Sequence, residues 1–165
     1  MNSYKGKTAL ITGASSGIGL AMAHELSKRG AMVIMAARSR DKLDIEAQVI
    51  RKNGNQAHTF TTDLSLPNSA EKLYGEIISA GLNIDLLVNN AGYGSWGDFT
   101  EFYREDFGFM IQLNITSLTD LCLLAIPDML SKDGGGIIYV GSTASFLPVS
   151  FPASYGASKA YVFMF

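Results

Sequence analysis

Short, continuous apolar runs alternate along this chain with longer stretches whose apolar residues recur every three or four positions. The first pattern marks strands buried on both faces, the second helices with one apolar stripe. Thr8–Thr12 reads as a first strand. Gly17–Arg29 follows as a helix, with Ile18, Met22 and Leu26 on one face and Gly30 as its C-terminal stop. Met32–Ala36 is a second strand, Arg40–Lys52 a second helix ending at Asn53-Gly54, and Ala57–Thr62 a third strand. Asn68–Ala80 is a third helix, closed by Gly81. Ile84–Val88 is a fourth strand, Phe102–Leu130 a long helical region, and Ile137–Val140 a fifth strand. A last helix begins near Pro152 and is still running at Phe165. Strands and helices in strict alternation predict an α/β fold, a parallel sheet covered by helices.

Composition narrows the class. The 165 residues are 47% hydrophobic and 17% charged, which predicts one globular domain with a single sizeable core. A formal net charge of −2 and the lack of any Lys/Arg run argue against nucleic acid or an anionic membrane as partner. The lone Cys122 fits a reducing cytoplasm and reads as a small core residue. The N-terminal residues lead into a strand-like run too short for a signal-peptide core. Leu118–Leu130, interrupted by Asp120, Pro127 and Asp128, falls short of the ~20 residues that span a bilayer and reads as a buried core helix. His24 and His58 stand in no motif, so no metal site is expected.

The first strand runs into Gly13-Ala14-Ser15-Ser16-Gly17-Ile18-Gly19 and then a helix. Gly13 can take a tight turn, and Gly17 and Gly19 let the helix N-terminus approach both a ligand and the sheet. Free N–H groups and the helix dipole there favour a pyrophosphate. The competing reading of the segment taken alone, the weaker of the two, is a glycine-rich turn without a ligand. At the end of the second strand, a dinucleotide site carries an acidic residue for a ribose 2′-OH or an arginine for a 2′-phosphate. Here Arg38 and Ser39 occupy that place and no Asp or Glu does, which favours NADP(H) over NAD(H). Arg38 and Arg40 as plain solvated charges is the competing reading. Asp41 belongs to the following helix and should point away.

Tyr155 and Lys159 lie four apart and therefore share a helix face. A free phenol titrates near ~10, and a neighbouring ammonium favours the phenolate. Such a tyrosine can hand a proton to a carbonyl oxygen or take one from an alcohol. The pair alone also occurs on solvated helix faces. Ser142, at the C-terminal end of the fifth strand, sharpens it, because ligands of open α/β sheets bind beyond those strand ends. On its own Ser142 reads as a turn or capping residue.

These motifs together resemble the short-chain dehydrogenase/reductase (SDR) family over the whole chain. Thr12-Gly13 through Gly17 and Gly19 match its T-G-x-x-x-G-x-G turn, and Asn89-Asn90-Ala91-Gly92 its N-N-A-G motif. Asn114, Ser142, Tyr155 and Lys159 match its catalytic tetrad, and Asp63-Leu64 stands where members contact adenine. The resemblance implies a Rossmann-like, doubly wound parallel sheet over residues 1–165. It implies hydride transfer between a nicotinamide and a small-molecule carbonyl or secondary alcohol. Tyr155 would be the general acid/base, and Ser142 would position the substrate oxygen. Lys159 would act on Tyr155 and the nicotinamide ribose, and Asn114 would hold a water in a relay to Lys159.

Other readings stand beside these roles. Asn90 reads as structural, its amide bonding backbone near the central strands, and Asp63 as a cap of the turn after its strand. The segment Tyr93-Gly94-Ser95-Trp96-Gly97-Asp98-Phe99 is either a wall of the substrate pocket or a plain surface loop. Family members continue past the Tyr-Lys helix with two more strands and a substrate lid. The chain is therefore read as C-terminally incomplete, with the fifth strand at a sheet edge. A homodimer or tetramer through the helices bearing Asn114 and Tyr155 is expected. The alternative to an active reductase is a nucleotide-binding or dimerising remnant without turnover.

Overall fold

The structure, a computed structural model, describes residues 4–95, 97–132, 134–147 and 153–165. Five strands form one parallel sheet in the order β3-β2-β1-β4-β5. They are β1 (Thr8–Thr12), β2 (Met32–Ala37), β3 (Ala57–Thr61), β4 (Leu86–Asn89) and β5 (Gly136–Tyr139). The helices are α1 (Gly17–Lys28), α2 (Arg40–Lys52), α3 (Ser69–Ser79), α4 (Arg104–Ile111), α5 (Ser117–Leu130) and α6 (Ala153–Met164).

Side chains of a strand alternate between faces, so adjacent apolar residues must feed two different cores. Leu10, Ile34 and Leu87 stand in register and pack on one face against Leu73 and Ile77 of α3 and Leu121 and Met129 of α5. Ile11, Val33, Met35 and Val88 pack on the other against Leu26 of α1 and Leu43, Ala47 and Ile50 of α2. This two-sided burial is why β1, β2 and β4 read as unbroken apolar runs. The sheet is doubly wound, and its order reverses between β1 and β4. Ligands of such sheets bind at that crevice, beyond the carboxyl ends of the strands. The edges are β3 on one side and the half-buried β5 on the other.

Two differences from the expected elements have local causes. β4 begins at Leu86 rather than Ile84, because the Asp85 carboxylate accepts the Thr8 N–H at 2.8 Å while its own N–H bonds the Thr8 carbonyl. The long helical region begins at Arg104 rather than Phe102. The Tyr103 N–H donates to the Asp106 carboxylate at 3.1 Å, which fixes Tyr103 outside the helix as its cap. The helix also runs on through Pro127. The carbonyl that loses its donor there belongs to Leu123, on the exposed face, where water can serve it. The resulting run Arg104–Leu130, 27 residues, has the length and apolarity of a membrane-spanning helix. Here it packs into the domain, with Met110, Leu118, Leu121, Ala125 and Met129 buried.

Candidate active site

The carboxyl ends of β1, β2, β4 and β5 open on one cleft of about 480 Å³. Its floor is the glycine turn. Gly13 has φ 66° and Gly17 φ 56°, a region that side chains disfavour. Gly19 is required for a different reason. A Cβ there would fall on the Asn90 amide nitrogen and lie 2.5 Å from the Gly13 carbonyl oxygen, so only a bare residue lets α1 close on the turn. Gly17 and Gly19 thus shape the backbone, while Gly13, Ser15, Ser16 and Ile18 line the cleft. Ser16 is the N-cap of α1 with an extended backbone, and its hydroxyl makes no capping bond. The first-turn N–H groups are therefore free of an internal side-chain acceptor, as an anion site requires.

Asn90 holds the turn in place. Its amide donates to the Thr12 carbonyl at 2.8 Å and the Gly13 carbonyl at 3.3 Å. The Thr12 hydroxyl in return accepts the Asn90 and Ala91 N–H groups, both at 3.0 Å. β1 and β4 are thereby locked together at their exits, and Asn90, Ala91 and Gly92 line the cleft beside Gly13.

At the β2 end, Arg38, Ser39, Asp63 and Leu64 line the cleft. Asp63 also caps its turn: its Oδ1 accepts the Ser65 N–H at 3.0 Å and the Ser65 hydroxyl at 2.6 Å. Arg40 is drawn away to Asp44, 3.6 Å distant, and neither it nor Asp41 lines the cleft. Lys42 does line it, and sequence reasoning missed this residue. The available signal was a cation in the first turn of α2, where the helix dipole opposes positive charge.

At the β5 end, Tyr155 and Lys159 project from α6 into the same cleft. Lys159 Nζ lies 5.9 Å from the centroid of the Tyr155 ring and donates to the Val140 carbonyl at 2.8 Å. Burial disfavours its charged form and pushes its pKa below the usual lysine value. Gly92 keeps room here: a Cβ on it would lie 3.1 Å from Asn114 Oδ1 and 3.3 Å from Lys159 Nζ.

Asn114 is buried within a single π-helical segment, Gln112–Thr116, between α4 and α5. Such bulges re-aim side chains and gather at functional sites. Its Oδ1 accepts the Tyr93 N–H at 3.1 Å, and its amide donates to the Tyr93 carbonyl at 2.9 Å and the Ser158 hydroxyl at 3.0 Å. Ser142 stands beyond β5, half-buried and outside the cleft lining, with its oxygen accepting the Ala144 N–H at 3.2 Å. The turn-capping reading of this residue is therefore observed alongside its placement past the strand end.

Tyr93 lines the cleft, and its phenol titrates above the usual range through burial and the nearby Asp106 charge. Trp96 and the Phe99 side chain lie outside the described residues. His24 pairs with Glu46 at 2.8 Å between α1 and α2. Cys122 is buried beside Asn89 and Tyr139, away from the cleft.

Known proteins resemble this chain in sequence and in fold. The family model described as short chain dehydrogenase matches residues 7–165. A fatty acyl-CoA reductase of Acinetobacter baylyi is 36% identical over 158 residues, 94% of this chain and 54% of its own. The very-long-chain 3-oxoacyl-CoA reductase of Mus musculus is 32% identical over 97% of this chain and 52% of its own. The structure of L-sorbose reductase from Gluconobacter frateurii, complexed with NADPH and L-sorbose, superposes with a TM-score of 0.91 at 32% identity, covering 98% of this chain and 62% of its own. The chain spans about half the length of the two acyl-CoA reductases.

Proposed function

The chain belongs to the short-chain dehydrogenase family, and from that premise we propose an NADP(H)-dependent oxidoreductase that interconverts a carbonyl and a secondary alcohol. The observation that carries the proposal is convergence. The glycine turn, the Arg38 end and the Tyr155–Lys159 pair, far apart in sequence, all line one cleft. The cradle suits a dinucleotide: positive-φ glycines, an uncapped helix N-terminus and a bare Gly92 leave the space and donors that pyrophosphate and ribose need.

Gly13, Ser15, Ser16 and Ile18 would hold the pyrophosphate. Asp63 and Leu64 would face the adenine, and Asn90, Ala91 and Gly92 would border the nicotinamide half. Arg38, Ser39 and Lys42 would bind a 2′-phosphate, which supports NADP(H) over NAD(H) and leans toward reduction. When bound, the nicotinamide supplies or accepts the hydride.

Tyr155 donates a proton to the carbonyl oxygen on reduction and takes it back on oxidation. Lys159, its Nζ 5.9 Å from the centroid of the Tyr155 ring, would hold the nicotinamide ribose. Ser142 orients the substrate oxygen. Asn114, whose Oδ1 borders the space beside Gly92 that Lys159 Nζ also borders, would hold a water in a relay to Lys159 that reprotonates the site.

A dimer is supported by Leu123, Ile126 and Leu130. They form an exposed apolar stripe on α5, which continues the helical run of Asn114. The second reading, a nucleotide-binding or dimerising remnant without turnover, would keep the same stripe. The buried Cys122 thiol suits a cytoplasmic protein.

The discriminating experiment is NADPH oxidation with a broad panel of ketones, run on wild type and Tyr155→Phe. Loss of turnover in the variant, with NADPH binding nearly intact, is expected. Equal turnover in both would sink the mechanism, and none in either would favour the second reading.

A further inference from the structure

We propose that Gly94 is a positioning residue for Tyr155: the lack of a side chain at Gly94 sets where the phenol ring stands. The inference rests on Tyr155 being the proton donor of the reaction above. A Cβ on Gly94 would lie 2.6 Å from Tyr155 Cγ, 2.7 Å from Cδ2 and 3.0 Å from Cβ. These atoms form the root of the ring, so it could not clear the added methyl by a small swing of its tip. The whole side chain would have to turn about its first torsion, and the hydroxyl would travel farthest. Backbone conformation does not call for glycine at this position. Gly94 is not among the residues with left-handed backbone, and the Tyr155 atoms are the nearest a side chain there would meet.

The loop cannot simply back away. The peptide that leads into Gly94 is gripped by Asn114, which bonds the Tyr93 N–H and carbonyl at 3.1 and 2.9 Å. The same Asn114 amide donates to the Ser158 hydroxyl, which donates to the Tyr155 carbonyl at 2.8 Å. Loop and α6 are tied to one buried side chain on either side of the contact. Their separation is therefore held at a value that fits a hydrogen at residue 94 and not a methyl. Lys159 stands on α6 a turn beyond the ring, 5.9 Å from its centroid, and a displaced ring would lose that relation as well.

The test is a pairwise cycle on the full chain: wild type, Gly94→Ala, Tyr155→Ala and the double variant, each melted thermally and titrated with NADPH. Gly94→Ala should lower the melting temperature in the wild-type background and do so much less in the Tyr155→Ala background, where only the 3.0 Å contact with the residue 155 Cβ remains. In turnover, Gly94→Ala should cost on the order of a hundredfold in kcat, as expected for a reacting group displaced by about 1 Å, with NADPH affinity within about twofold. A merely structural role would move stability equally in both backgrounds and leave kcat unchanged, and either result overturns the inference. Should Gly94→Ala fail to fold, a double variant that folds supports the contact, and one that does not overturns it. A wild type without turnover counts against the reductase reading alone, because the melting cycle reads the Gly94–Tyr155 contact without substrate.

Discussion

Replacing Asn90 by aspartate keeps the side chain's shape and removes its donors. Thr12 is 1% exposed, so its carbonyl has little access to water once the 2.8 Å bond from Asn90 is gone. A buried acceptor left without its partner costs about 1–3 kcal/mol. The 3.3 Å bond to Gly13 sits beyond the usual range and adds little. Asn90→Ala should therefore destabilise by about 2 kcal/mol, or roughly 4–8 °C for a domain of this size. Asn90→Asp should be worse, despite its closer shape, because an ionised carboxylate would face the two carbonyls that the amide now serves. Both variants should weaken NADPH and NADH alike, since the damage falls on the pyrophosphate turn that the two share. The assay is a thermal melt followed by circular dichroism, paired with a fluorescence titration of each nucleotide. An Asn90→Asp protein that melts with wild type would refute the reasoning, since the amide would then not be the donor that holds Thr12 and Gly13.

Two further outcomes follow from the ends of the cleft. Arg38→Ala should weaken NADPH by roughly 10–100-fold and Lys42→Ala by roughly 2–5-fold, with NADH within about twofold. Arg40→Ala, its partner being Asp44, should change neither, and equal losses for NADPH and NADH would place recognition of the 2′-phosphate elsewhere. Lys159 has a folded pKa below its ordinary 10.5, so the unfolded chain binds more protons between the two values and stability rises with pH across that window. Its contribution is in place above 10.5 and lost as pH falls through the folded value. Denaturant unfolding of wild type and Lys159→Gln across alkaline pH reads this, and a stability difference that does not vary with pH would refute it.

The elements were readable from the sequence because β1, β2 and β4 are buried on two faces and each helix on one. Those burial demands write themselves into local periods that need no knowledge of the partner. The glycine turn was readable for the same reason: Gly13 and Gly17 answer to their own φ. What stayed hidden depends on residues distant in sequence. The π-helical turn around Asn114 leaves no local mark, because the stretch is compatible with a plain helix. Its cause lies in Tyr93 and Ser158, which draw the Asn114 amide inward from two other elements.

Lys42 was hidden because a first-turn lysine on an exposed helix reads as solvated charge. Only the turn of α2 over the end of β2 brings it beside Arg38. Gly94 is the extreme case. In sequence it is one more glycine in a loop, and its backbone does not require it to be one. The requirement comes from Tyr155, 61 positions away, whose ring root occupies the space where a Cβ would stand. A glycine whose own dihedrals would tolerate alanine, yet whose Cβ would strike a reactive side chain, reports on that side chain rather than on its own loop. If Tyr155 is the proton donor proposed above, the place of its ring is set from two elements, α6 that carries it and the loop that leaves room for it at Gly94.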